Sequence, residues 1–306
     1  FFDEVYPLYP FLDRRDFESV ATSAELEQRL ASDHAWAATY YTVLSIGISY
    51  ERTGSFAAFE GPSWTTFRRA MRLFPYLLIA RPSLCVLQTL FTLNYSSWPL
   101  EGLLVTEAAR LCLVQRVDST DQFSTNPEWY SRTFWTIYCL ERDYCFHCSQ
   151  SMTISEESIR CPLPTPLKDE DLTIFMHLIS VSRLSSLACS RLFTATALRQ
   201  RRSQLLYNID SIRESLESWC SSIPEHYRPG KPLRSRAIYR PGFLQAALQH
   251  HCWYHLLSIA VARLEAHLTV SRDVTRHAQA KKTLMLHARG IVNLTHHIPI
   301  DHSTPL

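Results

Sequence analysis

The sequence predicts an all-α fold, a large domain of many helices built as an irregular helical bundle. Apolar residues recur at the 3.6-residue period of a helix over most of the chain. No segment alternates apolar and polar residues between turn signals, as a half-buried strand would. No internal repeat of fixed length is present, which excludes a solenoid. Hydrophobic residues make up 46% of the 306 residues, enough for one large core or two smaller ones.

The clearest helix pattern lies at 99–116, where a proline falls in the expected first turn. A single apolar stripe at helical spacing comprises Leu100, Leu103, Leu104, Ala108 and Leu111. Similar patterns predict further helices at about 34–50, 63–80, 83–96, 127–149, 170–198, 203–221, 241–268 and 273–297.

Turn-forming stretches separate these helices at 51–55, 116–127, 160–171 and 223–242. The last stretch is rich in Pro and Arg and is the longest, so it predicts a long loop or a boundary between two lobes. The chain opens without an initiator Met and without a charged, then apolar, leader, so we expect 1–306 to be a fragment of a longer protein.

Charge and hydropathy exclude two classes of partner for this chain. The formal net charge is only +2 and the isoelectric point is about 8.1, which gives no field for non-specific binding to nucleic acid or an anionic membrane. The most apolar run, at 73–80, is far shorter than the roughly 20 residues that cross a bilayer. We therefore expect no membrane contact, and the Arg-rich stretches at 67–72 and 199–202 to be solvated helix faces. Nine scattered cysteines favour a reducing compartment.

Glycine spacing excludes several catalytic motifs. No two of the seven glycines lie closer than seven positions apart. A dinucleotide-binding fingerprint, a P-loop and a nucleophile elbow all need closer pairs. The acidic cluster at 169–171 lacks the spacing of a diphosphate-binding magnesium box and is better explained as a helix start.

Histidines and cysteines likewise form no recognisable metal site. His251 and His255 are four positions apart, as in a zinc-protease helix, but Cys252 stands where that motif needs a glutamate. On a helix at 127–149, Cys139 and Cys148 would point to opposite sides, so these thiols cannot converge on one ion with Cys145 or Cys161. We predict that the histidines and cysteines pack, and that the chain has no catalytic, cofactor-binding or metal-binding residue.

The stretch 131–164 carries a resemblance to a known family. The residues concerned are Arg132, Phe134, Trp135, Leu140, Arg142, Ile154, Pro162, Leu163 and Pro164. They match the signature of the fungal-specific transcription factor regulatory domain, the middle homology region of binuclear zinc-cluster regulators. Glu141 stands in for an Asp of that pattern. The residues at 149–151, Ser-Gln-Ser, replace its Gly-Arg-Pro, so the shape of the turn that follows is in question.

Three further segments are similar to the same family, in the same order along the chain. They are the aromatic and Pro-rich opening at 1–18, the helix at 103–117 and the segment at 216–230. The family's fold is all-α, which agrees with the periodicity.

The resemblance implies a regulatory or effector domain that modulates DNA-templated transcription by RNA polymerase II, in the nucleus, and not an enzyme. It implies DNA binding through an N-terminal zinc cluster that lies outside these residues, a homodimer of the full-length protein, and a small-molecule effector in some members. Zinc is expected only in that missing cluster. We expect six cysteines in two groups upstream of Phe1, followed by a heptad segment, and sequencing the upstream coding region tests this.

Motif residues are assigned to packing, with an effector pocket as the alternative assignment. They are Arg132, Phe134, Trp135, Tyr138, Leu140, Glu141 and Arg142. Two other functions stay open, a helical enzyme with a dispersed active site and a structural helical scaffold. A pocket holding a strongly shifted His beside a carboxylate would favour the enzyme, whereas a dry apolar cavity would favour the regulator.

Overall fold

The structure, a computed structural model, describes residues 1–51, 60–96, 101–114, 126–165, 170–231, 233 and 241–298. Within these ranges the secondary structure consists of helices and turns, with no β-strand. The all-α prediction is confirmed. Two compact units divide the chain, the first running to Leu172 and the second beginning at Thr173.

In its described residues, the first unit has seven α-helices. They are α1 (Arg14–Ala21), α2 (Leu26–Ser32), α3 (His34–Ser49), α4 (Gly61–Ile79), α5 (Leu84–Ser96), α6 (Glu101–Val114) and α7 (Pro127–Cys148), and a 3₁₀ turn follows at Glu156–Ser158. Helix α3 packs against α4 and α5, and α5 packs against α6 and α7. The core of this unit therefore lies around α5.

The opening segment fills part of that core. Val5 and Phe11 are fully buried, and the Phe11 ring lies 4.2 Å from the ring of Phe91 in α5. The side-chain amide of Gln88 donates a hydrogen bond of 2.8 Å to the carbonyl of Phe11. The aromatic residues at the start of the chain thus anchor it to α5, because large rings bury the most apolar area per residue.

The second unit contains α8 (Glu170–Ala188) from Thr173 onward, a π-helical turn (Cys189–Phe193), α9 (Ala195–Leu198), α10 (Arg202–Ser222), a 3₁₀ turn (Glu225–Tyr227), α11 (Pro241–Thr269), α12 (Val274–Leu294) and a last 3₁₀ turn (Thr295–His297). Helix α11 packs along α12 and against α10. These three helices form the frame of the unit.

The helix predicted at 170–198 is not continuous. It ends at Ala188 and passes through the π-helical turn to Thr194, whose backbone is extended at φ −76° and ψ 154°. The Thr194 hydroxyl accepts a hydrogen bond of 3.0 Å from the N–H of Ala197 and so starts α9. Apolar periodicity does not register such a break, because both sides of it keep helical spacing.

The apolar stripe predicted in α6 is shifted. Leu104, Ala108 and Leu111 are buried as predicted, but Leu103 is 53% exposed, and Val105 is buried in its place. The buried face is therefore rotated by part of a turn. Leu100 and the proline at position 99 lie outside the described residues.

The division between the units falls after residue 172 rather than in the Pro- and Arg-rich stretch at 223–242. Helices α10 and α11 pack on each other, so this stretch joins two neighbours of one unit. Much of it, residues 232 and 234–240, lies outside the described residues, as do 52–59, 115–125 and 166–169 of the other predicted turns. In the described ranges, no helix combines the length and the apolar character that crossing a membrane requires.

The turn after α7 is the one in which Ser-Gln-Ser replaces the Gly-Arg-Pro of the family motif. Ser149 ends the helix in the left-handed conformation, at φ 54° and ψ 36°, and its N–H bonds back to the carbonyl of Cys145. This is the conformation in which a glycine commonly ends a helix. The chain therefore makes a glycine-type turn with a serine, which carries the steric cost of a Cβ.

We predict that Ser149→Gly stabilises the protein by about 1 kcal/mol, because glycine adopts positive φ without that cost. The free energy of unfolding from urea denaturation measures the change. Ser180→Gly is the matched control, since Ser180 is exposed within α8, where glycine lowers stability by about 0.5 kcal/mol. Equal destabilisation by both substitutions would contradict the proposed turn.

Candidate functional site: the α7 clamp and a histidine-lined cavity

The sequence-predicted site residues all lie on α7, and most of them are buried. The buried ones are Arg132, Phe134, Trp135, Tyr138, Glu141 and Arg142, whereas Leu140 is half-buried. The buried charged side chains of this helix need hydrogen-bonding partners, because burying an unpaired charge costs much free energy. The partners come from the connecting segment, residues 149–165.

A buried ion pair joins α7 to the connecting segment. Arg142 Nη1 donates to Glu141 Oε2 at 2.9 Å, and the two side chains are 0% and 1% exposed. The other carboxylate oxygen, Glu141 Oε1, accepts from the N–H of Ile154 at 3.1 Å and from the N–H of Thr153. Arg142 Nη2 donates to the carbonyl of Ile154. The pair therefore accepts hydrogen bonds from the N–H groups of Thr153 and Ile154 and donates one to the carbonyl of Ile154.

Tyr138 extends this arrangement by one helical turn. The guanidinium carbon of Arg142 lies 4.3 Å from the centre of the Tyr138 ring, a cation–π distance. The Tyr138 hydroxyl donates to the carboxylate of Glu156 in the 3₁₀ turn. Burial raises the pKa of Tyr138 above its usual range, so the hydroxyl keeps the proton that it donates. Glu156 thereby anchors the connecting segment to α7.

The far end of the connecting segment is held by the first turns of α7. Trp135 Nε1 and the Ser131 hydroxyl both donate to the carbonyl of Pro162, at 2.8 and 2.6 Å. Arg132 Nε donates to Glu128 at 2.8 Å, and Glu128 accepts from the N–H of Thr165 at 3.2 Å. We call the residues that make these contacts the α7 clamp: Glu128, Ser131, Arg132, Trp135, Tyr138, Glu141 and Arg142. The clamp binds the chain's own backbone.

The cysteines near the clamp are separated by the helix geometry. Cys139 and Cys145 are buried and Cys148 is exposed, and the Sγ of Cys145 donates to the carbonyl of Ser151 at 3.6 Å. Burial raises the pKa of Cys161 to about 12, so it is a thiol at neutral pH. Over the described ranges, no group of three or more His, Cys, Asp or Glu residues has a geometry that could hold a metal ion.

The second unit contains a cavity of about 1100 Å³ among α10, α11 and α12. None of the sequence-predicted site residues lines it. The lining includes four histidines, His251, His255, His287 and His297. Of these four histidines, only His251 and His255 form a recognisable pattern in the sequence, and that pattern predicts packing residues.

Two of these histidines bond directly to each other. His255 Nδ1 lies 2.9 Å from His287 Nδ1, with both residues 7% exposed. One Nδ1 must carry the proton and the other must accept it, so the two rings have opposite tautomers. The ring of His255 lies against α12 at Gly290, where a Cβ would come within 2.6 Å of Nε2. Glycine at this position therefore allows α11 and α12 to approach closely.

Burial keeps these imidazoles neutral. It lowers the pKa of His255 to about 4, with smaller contributions from His287 and His251. It also lowers the pKa of His251 to about 4 and that of His287 below its usual value, against a rise caused by Glu217. At neutral pH the cavity thus presents uncharged rings that can donate or accept hydrogen bonds.

Ion pairs tie the same three helices together at one end of the cavity. Glu265 of α11 is buried and accepts from Arg213 of α10 at 2.5 Å and from Arg276 of α12 at 2.6 Å. Asp210 accepts from Arg276 at 2.6 Å. Tyr254 donates to Glu217 at 2.9 Å. These partners carry no local signal in the sequence, because they lie 11 to 66 positions apart.

Comparison with known proteins identifies the class to which this all-helical chain belongs. A family model described as the fungal specific transcription factor domain matches residues 1–221. The chain belongs to this family, as its motifs predicted, and it is a regulatory domain of a fungal transcription factor. The matched residues include the whole α7 clamp.

Two curated relatives are described as ABC-transporter-regulating transcription factors. The one from Aspergillus fumigatus is 26% identical and the one from Aspergillus oryzae is 27% identical, each over 160 residues. The match covers 47% of this chain and 18% of each relative, so the chain corresponds to a small part of those proteins. No solved structure matches the chain.

We predict that Glu141→Gln lowers the free energy of unfolding by about 3 kcal/mol, because the fully buried Arg142 loses its closest counter-charge and keeps only Glu156, at 3.8 Å. Glu141→Asp keeps the charge and is expected to cost less. Glu18→Gln is the control, since its pair with Arg14 is half-exposed and contributes at most about 1 kcal/mol. Urea denaturation measures the free energy of unfolding of all three variants. Similar losses for Glu141→Gln and Glu18→Gln would contradict the larger contribution expected of the buried pair.

We also predict that acid destabilises the second unit. The folded-state pKa values of His251 and His255 are about 4, whereas an unfolded His titrates near 6.5. Between these values the unfolded chain binds more protons, so the free energy of unfolding falls as the pH decreases from about 6.5 to about 4.

The expected loss between pH 7 and pH 4.5 is about 2 kcal/mol or more, measured by urea denaturation at each pH. His255→Gln should reduce the loss, whereas His267→Gln, at an exposed position of the same helix, should leave it unchanged. An identical pH dependence in wild type and His255→Gln would contradict this assignment.

Proposed function

We propose that this domain is the regulatory module of a zinc-cluster transcription factor and that it modulates transcription by RNA polymerase II without catalysing a reaction. The observation that carries the proposal is the family match over residues 1–221. The two curated relatives, whose descriptions both name transcription factors, support it. Because both relatives are described as regulators of ABC transporters, ABC-transporter genes are the first targets to test.

DNA binding is assigned to a zinc cluster outside these residues, and zinc to that cluster only. A net charge of +2 leaves the chain itself without a strong field for phosphates. A coiled coil between the zinc cluster and this domain would form a homodimer, since two DNA half-sites need a two-fold symmetric protein. The proposed location is the nucleus. A small-molecule effector would set the activity of the domain.

The helical-enzyme alternative has one observation in its favour, the strongly shifted histidines of the cavity. The expected carboxylate partner is not arranged for catalysis, however. Glu217 accepts the hydrogen bond of Tyr254, and the partner of His255 is His287. Both pKa values are lowered mainly by burial, which makes the rings weak bases at neutral pH. The regulatory function is therefore the better supported of the two.

We predict that residues 1–306, inserted between a heterologous DNA-binding domain and an activation domain, change the activity of a reporter gene. The matched control carries Glu141→Gln, which should remove part of the effect by loosening the α7 clamp. In a separate assay, the chain without the added domain should bind a target promoter no better than a scrambled duplex at physiological salt. Unchanged reporter activity, or sequence-selective DNA binding by the chain itself, would contradict the proposed function.

A further inference from the structure

His251 is a buried polar residue with an unmet hydrogen-bonding capacity. It is 2% exposed, it lines the cavity of the second unit, and its Nε2 has no hydrogen-bond partner in the described part of the chain. Buried polar side-chain atoms are nearly always hydrogen-bonded, since leaving one without a partner costs about 1–3 kcal/mol. The unmet atom therefore points to a missing partner.

The chemistry of that partner follows from the proton on the ring. His251 donates to the backbone of Tyr227, an interaction that favours the protonated ring and therefore uses an N–H. Since Nε2 is without a partner, the donor is Nδ1. A neutral imidazole has one N–H, so Nε2 is an acceptor lone pair. The group that satisfies it must be a hydrogen-bond donor.

The rest of the cavity favours an uncharged molecule. The His255–His287 pair is neutral and offers one ring nitrogen of each kind, a donor and an acceptor. Arg213 and Arg276 are already engaged with Glu265. Of the other charged lining residues, Glu217 accepts from Tyr254, Lys231 pairs with Glu225, Asp273 caps α12 and Arg289 is exposed. A charged ligand beside the buried histidines would therefore lose its hydration without gaining a free counter-charge there.

Apolar walls complete the cavity. Its lining includes four buried aliphatic residues, Leu216, Leu233, Val261 and Leu294. The volume of about 1100 Å³ exceeds what a single small aromatic molecule needs. Mostly apolar walls with a few converging polar groups are the usual composition of a small-molecule site.

We propose that this cavity binds an uncharged, largely apolar organic molecule that carries a hydroxyl or N–H group, and that His251 Nε2 accepts the hydrogen bond from that group. Its role as the effector of transcription rests on the function proposed above. The binding itself does not, and it can be measured on the isolated chain.

The test uses three probes of one shape at pH 7.5, titrated into residues 1–306 by isothermal calorimetry. 2-Naphthol carries the donor, 2-methoxynaphthalene lacks it, and 2-naphthoate is an anion. We expect saturable binding of one 2-naphthol per chain. Binding of 2-methoxynaphthalene should be about tenfold weaker, the loss of one buried hydrogen bond, and 2-naphthoate should bind more weakly still.

Three variants locate the site. His251→Phe keeps a ring but removes the acceptor, so it should weaken 2-naphthol about tenfold and leave 2-methoxynaphthalene unchanged. Ser258→Phe places a ring in the cavity from a half-buried lining position on α11 and should weaken binding of both probes. His267→Phe, exposed on the same helix, is the control and should bind as wild type does. If His251→Phe does not fold, the probe comparison and Ser258→Phe still decide the question.

Equal affinity for 2-naphthol and 2-methoxynaphthalene, tighter binding of 2-naphthoate, or unchanged binding to Ser258→Phe would each overturn the proposal. Absence of 2-naphthol binding would overturn it too, while a reporter that still responds to residues 1–306 would leave the regulatory function standing. Conversely, binding that behaves as expected with no reporter response would support the cavity and contradict the regulatory function.

Discussion

The buried ion pair between Glu141 and Arg142 is the constraint on which the first unit depends. Two charges without solvent exposure are tolerable only if each is paired and hydrogen-bonded, and here the partners are each other and the backbone at Thr153 and Ile154. The connecting segment cannot leave α7 without exposing a charge to an apolar core. The pair therefore converts a turn without regular structure into a fixed part of the domain, and the aromatic residues Trp135 and Tyr138 reinforce the same attachment.

The second unit meets the cost of buried polar groups in a different way. Burial lowers the pKa of His251, His255 and His287 and so keeps these three rings neutral, and the Nδ1 atoms of His255 and His287 satisfy each other with one hydrogen bond. Among the charged residues of the lining, Glu265 pairs with two arginines. The neutral rings can still form hydrogen bonds and lie in a cavity that also has aliphatic side chains in its lining, a combination that suits the neutral molecule proposed above.

Much of the helical fold could be predicted from local sequence, and little of the site could. Apolar periodicity located α7 and the long helices α11 and α12, because it depends on residues a few positions apart. The break at Thr194 was missed, since its signal is one hydroxyl bonding the backbone. The resemblance to the family motif singles out Glu141 and Arg142, but only the structure shows that they bind the backbone of Thr153 and Ile154. His287 carried no local signal, because its partner His255 lies 32 positions away on another helix.

Amide hydrogen exchange at Thr153 and Ile154 tests most directly whether the buried pair holds the connecting segment. Both N–H groups lie in a non-helical stretch and donate to Glu141, so they should exchange far more slowly than those of an open loop and no faster than the interior amides of α7. Slow exchange at both positions in the wild type, lost in Glu141→Gln while α7 stays protected, is the predicted result. Exchange of these two amides at the rate of an unstructured peptide in the wild type would contradict the account.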